Sequence, residues 1–121
     1  MFFLIIVLLV LDFVWLSFNK SNYDMWVGHK ILLDFWPTVI AYSLMIAAIY
    51  WILVPLVYQN PDDGFITGAK VGLVIYGIYN ATNMAIYPTY NIQMAIVDAT
   101  WGTFLFGILG FLCAKRINGK I

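Results

Sequence analysis

The sequence predicts an all-α protein, a four-helix transmembrane bundle with short loops. Three observations carry this. Of 121 residues, 64% are hydrophobic and only 10% charged, against roughly 45–50% apolar and about 25% charged in soluble domains. The apolar residues fall into four long runs, and a spanning helix needs about 20 of them. A chain this short exposes too much surface to hide such an excess internally, so the excess must face lipid. The whole chain, 1–121, reads as one membrane domain.

The first helix is expected over about residues 2–18. Its opening run, Phe2 to Leu11, is apolar on every face, and polarity begins at Asp12. It lacks a basic leader and a small-residue cleavage site, so it reads as a retained helix and not a signal peptide. Residues 19–36 mix Lys20, Asp24, His29, Lys30 and Asp34 with Tyr23, Trp26 and Trp36. This composition predicts an interfacial segment between helices one and two.

Helix two is expected over 37–58. Pro37 suits a first turn, where its missing N–H is no loss. Pro55 leaves the Trp51 carbonyl without its helical donor and predicts a bend. Pro61-Asp62-Asp63-Gly64 reads as a turn. Helix three is expected over 65–87, stopped by Pro88. The short loop after it makes helices three and four an antiparallel hairpin. Helix four is expected over 92–114, with Lys115, Arg116 and Lys120 beyond it.

Four spans place both termini on one side. Lys115, Arg116, Lys120 and Lys70 gather there, so the positive-inside rule makes the termini cytoplasmic. The lipid bilayer is the expected partner. Zero net charge and the lack of a basic stripe argue against nucleic acid. One histidine and one cysteine cannot supply a zinc set, so no metal or cofactor is expected.

Within this topology the polar residues converge. Asp12, Tyr42, Asn80, Asn83 and Asp98 all fall in the half of the membrane away from the termini, given about 1.5 Å of rise per residue. At about 100° per residue, Gly68, Gly72, Tyr76, Tyr79 and Asn83 share a face of helix three, with Asn80 at its edge. Gly64, Gly68 and Gly72, together with Gly102, read as small residues for close helix packing. Asp12 and Trp15 share a face of helix one; Asp98, Trp101 and Gly102 share one of helix four. Both pairs spell Asp-x-x-Trp, a spacing that lets each indole shield the acid on its own helix. Trp26, Trp36, Tyr87 and Tyr90 read as aromatic-belt residues. A carboxylate in the bilayer costs about 2.5–3.5 kcal/mol and therefore seeks partners or a function.

Three segments also resemble a known family. They are Leu11-Asp12-x-x-Trp15-Leu16, Tyr76-Gly77-x-Tyr79-Asn80-x-Thr82-Asn83-x-Ala85 and Val97-Asp98-x-x-Trp101-Gly102. In this order they are similar to the membrane proteins grouped as domain of unknown function 2177. The resemblance implies four helices and a site at these positions, and it implies no particular activity. The family pattern has an aspartate where this chain has Asn80.

The polar residues support three functional readings. The first is binding or transport of a small polar solute or cation by Asp12, Trp15, Tyr42, Tyr76, Tyr79, Asn80, Asn83, Asp98 and Trp101. With so few helices per protomer, it expects a homo-oligomer. The second is an intramembrane enzyme of lipid metabolism, with an aspartate as acid or base. No histidine cluster or activated nucleophile accompanies it, so the chain leans away from catalysis. The third is a structural or accessory role for the cluster.

Overall fold

The computed structural model describes residues 1–27 and 35–120 and is helical throughout, joined by short turns. The long helices are α1 (Phe3–Val27), α2 (Phe35–Gln59), α3 (Gly64–Ile86) and α4 (Ile92–Ile117). Among the described residues, three helices are long and apolar enough to cross a membrane: α1, α2 and α4. The sequence predicts a fourth span in α3. That helix has the length, but its glycines, Lys70, Asn80 and Asn83 dilute its apolar character.

α1 departs most from expectation. It does not end at Phe18 but continues to Val27, through the first half of the predicted interfacial segment. Several polar residues there find partners on the helix itself. Lys20 forms an ion pair with Asp24 one turn on, at 3.0 Å, and the Asn19 amide donates to the Trp15 carbonyl at 3.0 Å. An i, i+4 pair of opposite charge supports a helix by a few tenths of a kcal/mol, about 0.2–0.5. His29, Lys30 and Asp34 lie outside the described residues.

α2 begins two residues ahead of Pro37 and is interrupted by a π-helical turn, Ile49–Leu53. The irregularity stands immediately before Pro55, where the sequence predicted a bend. Proline lacks the donor that would bond the carbonyl four residues back, and a widened turn accommodates the loss. A short 3-10 turn, Pro61–Asp63, leads into α3. Between α3 and α4, Tyr87 is extended and the Asn91 side chain caps α4 by accepting from the Gln93 N–H at 2.6 Å. Lys115 and Arg116 occupy the last turn of α4, where positive charge complements the helix dipole.

α3 and α4 form the closest pair. Their contact runs antiparallel, Gly64 against Gly110, Gly68 against Phe106 and Gly107, Gly72 against Gly102. A Cβ added at Gly68 would lie 2.8 Å from the Phe106 carbonyl carbon, so only glycine permits this approach. α1 runs antiparallel to α2 and α4. Met1 meets Tyr50, whose hydroxyl donates to the Met1 carbonyl at 2.5 Å, and Met1 sulfur lies 3.4 Å from Cys113. The core occupies this terminal-side half: Leu4 and Leu8 of α1, Ile49, Leu53 and Val57 of α2, and Leu105, Phe106, Leu109 and Cys113 of α4 are fully buried.

Candidate functional site

The opposite half of the bundle holds a polar network of two hydrogen-bonded sets, one around Asp12 and one around Asp98, joined by the stacked indoles of Trp15 and Trp101. Asp12 is buried on α1. One of its oxygens accepts from the Tyr42 hydroxyl of α2, and the other accepts from the Trp101 indole N–H of α4 at 3.2 Å. Asp98 of α4 accepts from the Tyr23 hydroxyl at 3.3 Å and from the Asn80 amide of α3 at 2.7 Å. Asn80 also donates to the Tyr76 carbonyl at 2.8 Å, and its oxygen accepts from Tyr90 at 2.6 Å. All four helices thus contribute to the network. Burial pushes the Tyr90 hydroxyl, in the α3–α4 loop, up to about 12, so it remains a donor across the physiological range.

The two Asp-x-x-Trp stretches meet across the α1–α4 contact, which corrects the expectation that each indole serves its own acid. Trp101 donates to Asp12. Trp15 donates to the Tyr23 hydroxyl at 2.6 Å, which in turn donates to Asp98. Each carboxylate is therefore served by the other motif's tryptophan, once directly and once through Tyr23. The antiparallel packing explains it. Three residues rise about 4.5 Å along a helix, and opposed directions put Asp12 level with Trp101 and Trp15 level with Asp98. Side chains lean toward the N-terminus of their own helix, so the two indoles lean toward each other. Their rings stack with centroids 4.6 Å apart and planes 5° from parallel.

A cleft of about 520 Å³ opens beside the network. Asp12, Trp15 and Leu16 of α1, Ala41, Tyr42, Leu44, Met45, Ala48 and Ile52 of α2, Ile75, Tyr76 and Tyr79 of α3, and Asp98 of α4 line it. Its polar groups lie at one end and the rest of its wall is apolar. Among the described residues, every buried side-chain nitrogen and oxygen has a hydrogen-bond partner, and no group of three metal-ligating side chains comes together.

Of the nine residues singled out from sequence, Asp12, Trp15, Tyr42, Tyr76, Tyr79 and Asp98 line the cleft. Asn80 and Trp101 stand behind it as partners of the carboxylates. Asn83 is half-buried and does not line the cleft. Tyr76 also packs over Gly102, where a Cβ would enter its ring. Tyr23 and Tyr90 belong to the network although their positions read as interfacial. Both sit beyond the apolar runs and reach back along them, a placement that the residue pattern alone does not signal. Gly107 and Gly110, which complete the glycine seam, were not singled out from sequence; the four-residue spacing of Gly102, Phe106 and Gly110 signals Gly110, and Gly107 lies off that register.

A bundle of apolar helices around a buried, paired carboxylate cluster defines a multi-pass helical membrane protein. The family model described as a predicted membrane protein (DUF2177) matches residues 1–114, and the chain belongs to that family. No curated protein and no solved structure matches the chain.

Proposed function

We propose that the chain binds a small solute bearing a cationic or hydrogen-bond-donating group, held at Asp12 and Asp98 inside the membrane. The observation that carries this reading is the cleft whose wall includes both carboxylates. An ionised carboxylate offers about four acceptor sites. Two donors reach Asp12, and the Tyr23 and Asn80 donors reach Asp98, which leaves capacity on each. Within the network the donors are hydroxyls, indoles and amides, and no ion pair joins either aspartate to a lysine or arginine among the described residues. Two neighbouring buried carboxyl groups need a proton or a cation to neutralise them, and a ligand that supplies the cation is favoured at such a site.

In this reading α3 crosses the bilayer with the other helices, because its glycine seam follows α4 from Gly64 to Gly72 and Asn80 meets Asp98 further up. The termini and the Asn60–Asp63 turn then share the cytoplasmic side with Lys115, Arg116 and Lys120.

The test is thermal unfolding in lipid nanodiscs with alkali cations and short alkylammonium ions as probes. A ligand at 100 times its Kd stabilises the folded state by about 2.7 kcal/mol. The expected result is a saturable rise in Tm with at least one probe, lost in Asp98→Asn. A rise of the same size in Asp98→Asn, or none in the wild type, removes the reading. The full pairing of buried polar atoms favours a second reading, in which the cluster only fixes helix register. That one expects Asp12→Asn and Asp98→Asn to lower Tm and no probe to raise it.

A further inference from the structure

α2 is built as two halves. Its second half is anchored, with Ile49, Leu53 and Val57 fully buried. Its first half, Phe35–Ala48, has no fully buried residue and meets the core only near the joint, through the half-buried Met45 and Ile46. The π turn Ile49–Leu53 joins them, and Pro55 just beyond it weakens the local hydrogen-bond ladder further. Kinks and π turns are where long helices bend. The unanchored half forms one wall of the cleft through Ala41, Leu44 and Ala48, and α3 forms the facing wall. Leu44 and Tyr79, on opposite walls, are 64% and 58% exposed. The cleft therefore opens sideways between α2 and α3, at a depth where the surroundings are hydrocarbon. The Tyr42 hydroxyl ties the unanchored half to Asp12.

This shape selects among the solutes that the preceding proposal allows, and the inference rests on that proposal. A bare ion or a wholly polar solute would gain from Asp12 and Asp98 but would leave the long apolar wall to lipid tails, whereas an amphiphile uses the wall and the carboxyl groups with one molecule. From Ala41 to Ile52 that wall extends roughly 16 Å along the helix, about the length of an extended chain of a dozen carbons. The volume lies within the range of ligand sites, about 300–1,000 Å³. We propose that the occupant is a single-chain membrane amphiphile with a primary ammonium head. It enters sideways from the bilayer as Phe35–Ala48 swings about the π turn. The head takes the spare acceptor sites of Asp12 and Asp98. The chain lies along α2 toward Ile52. Entry requires Tyr42 to release Asp12, so that hydroxyl acts as a latch.

The experiment compares radiolabelled dodecylammonium, ethylammonium and dodecanol binding to the full chain in zwitterionic nanodiscs, with empty discs subtracted. Saturable binding of dodecylammonium at least tenfold tighter than of either other probe supports the proposal. Equal affinity for ethylammonium and dodecylammonium overturns the amphiphile while leaving the solute-binding reading intact. Equal affinity for dodecanol overturns the ammonium head. Binding of none of the three overturns the amphiphile, and the solute-binding reading then stands or falls on the alkali-cation arm of its own test. These comparisons use the wild-type chain and do not depend on a variant folding. The latch is tested separately with Tyr42→Phe, which retains the ring. Faster dodecylammonium association, about threefold or more, is expected, and an unchanged rate overturns the hinged entry.

Discussion

Glycine does opposite things at two positions of the same helix. At Gly68 an added methyl would stand 3.1 Å from the Gly107 Cα and nearer still to the Phe106 carbonyl, both backbone atoms that cannot turn aside. At Gly77 an added methyl meets nothing within 4 Å. Gly68→Ala is therefore expected to destabilise by roughly 1–3 kcal/mol or more, as overpacking does, because α3 and α4 must move apart. Gly77→Ala is expected to be neutral or to stabilise by up to about 0.5–1 kcal/mol, since alanine loses less backbone entropy in a helix. Thermal unfolding in detergent checks both. If the two variants behave alike, the seam does not rely on close backbone approach. From sequence, Gly68 was recognisable as a packing glycine by its four-residue spacing from Gly64 and Gly72. Its contact with Phe106 was not, because the register of α4 against α3 is a property of the pair.

The elements differ in how much of their behaviour is local. α4 is apolar, capped at Asn91 and buried over more than one face in its second half, where Leu105, Phe106 and Gly107 are all covered, and its bounds follow closely from its sequence. α2 is just as apolar, yet its halves have different fates. The apolar run Val39 to Val57 contains no mark that burial begins at Ile49; only the proximity of Pro55 gave notice of an irregularity. The difference has a measurable consequence. A spin label at Val39, on the unburied half, is expected to show greater backbone-driven mobility than one at Tyr58, past the π turn. Val39 and Tyr58 are both exposed, at 40% and 59%, so side-chain crowding does not separate them. Electron paramagnetic resonance line widths in nanodiscs measure the contrast, and equal widths would count against a hinged α2. α1 shows the reverse case. Its polar continuation looked like an interfacial segment, because composition alone does not reveal that Lys20 and Asp24 pair along one helix or that Tyr23 folds back onto Asp98.

At the scale of the whole molecule, the bundle divides into a terminal-side half that is apolar and closely packed and a far half that is polar and cleft. Met1, Tyr50 and Cys113 mark the first, and the Asp12–Asp98 network marks the second. The arrangement requires α1 and α3 to run one way and α2 and α4 the other. Cysteine labelling from outside intact cells is expected to reach a cysteine at Thr89 in the α3–α4 loop and to miss cysteines at Asp62 and Lys120. Labelling at both Asp62 and Lys120, with Thr89 spared, would reverse the proposed orientation, and labelling at only one of Asp62 and Lys120 would break the antiparallel topology. The sequence by itself determined the membrane class, the four helices, the glycine face of α3 and the common level of Asp12, Asn80 and Asp98 along the bundle. Those follow from hydropathy, from periodicity and from rise per residue, which are properties of single helices. Tertiary structure decided that each aspartate is served by the tryptophan of the opposite motif, that Tyr23 and Tyr90 join the network, and that α2 and α3 leave a cleft between them. Those depend on which helices are neighbours and at what register. That register is set by glycine contacts and antiparallel packing between residues far apart in the chain.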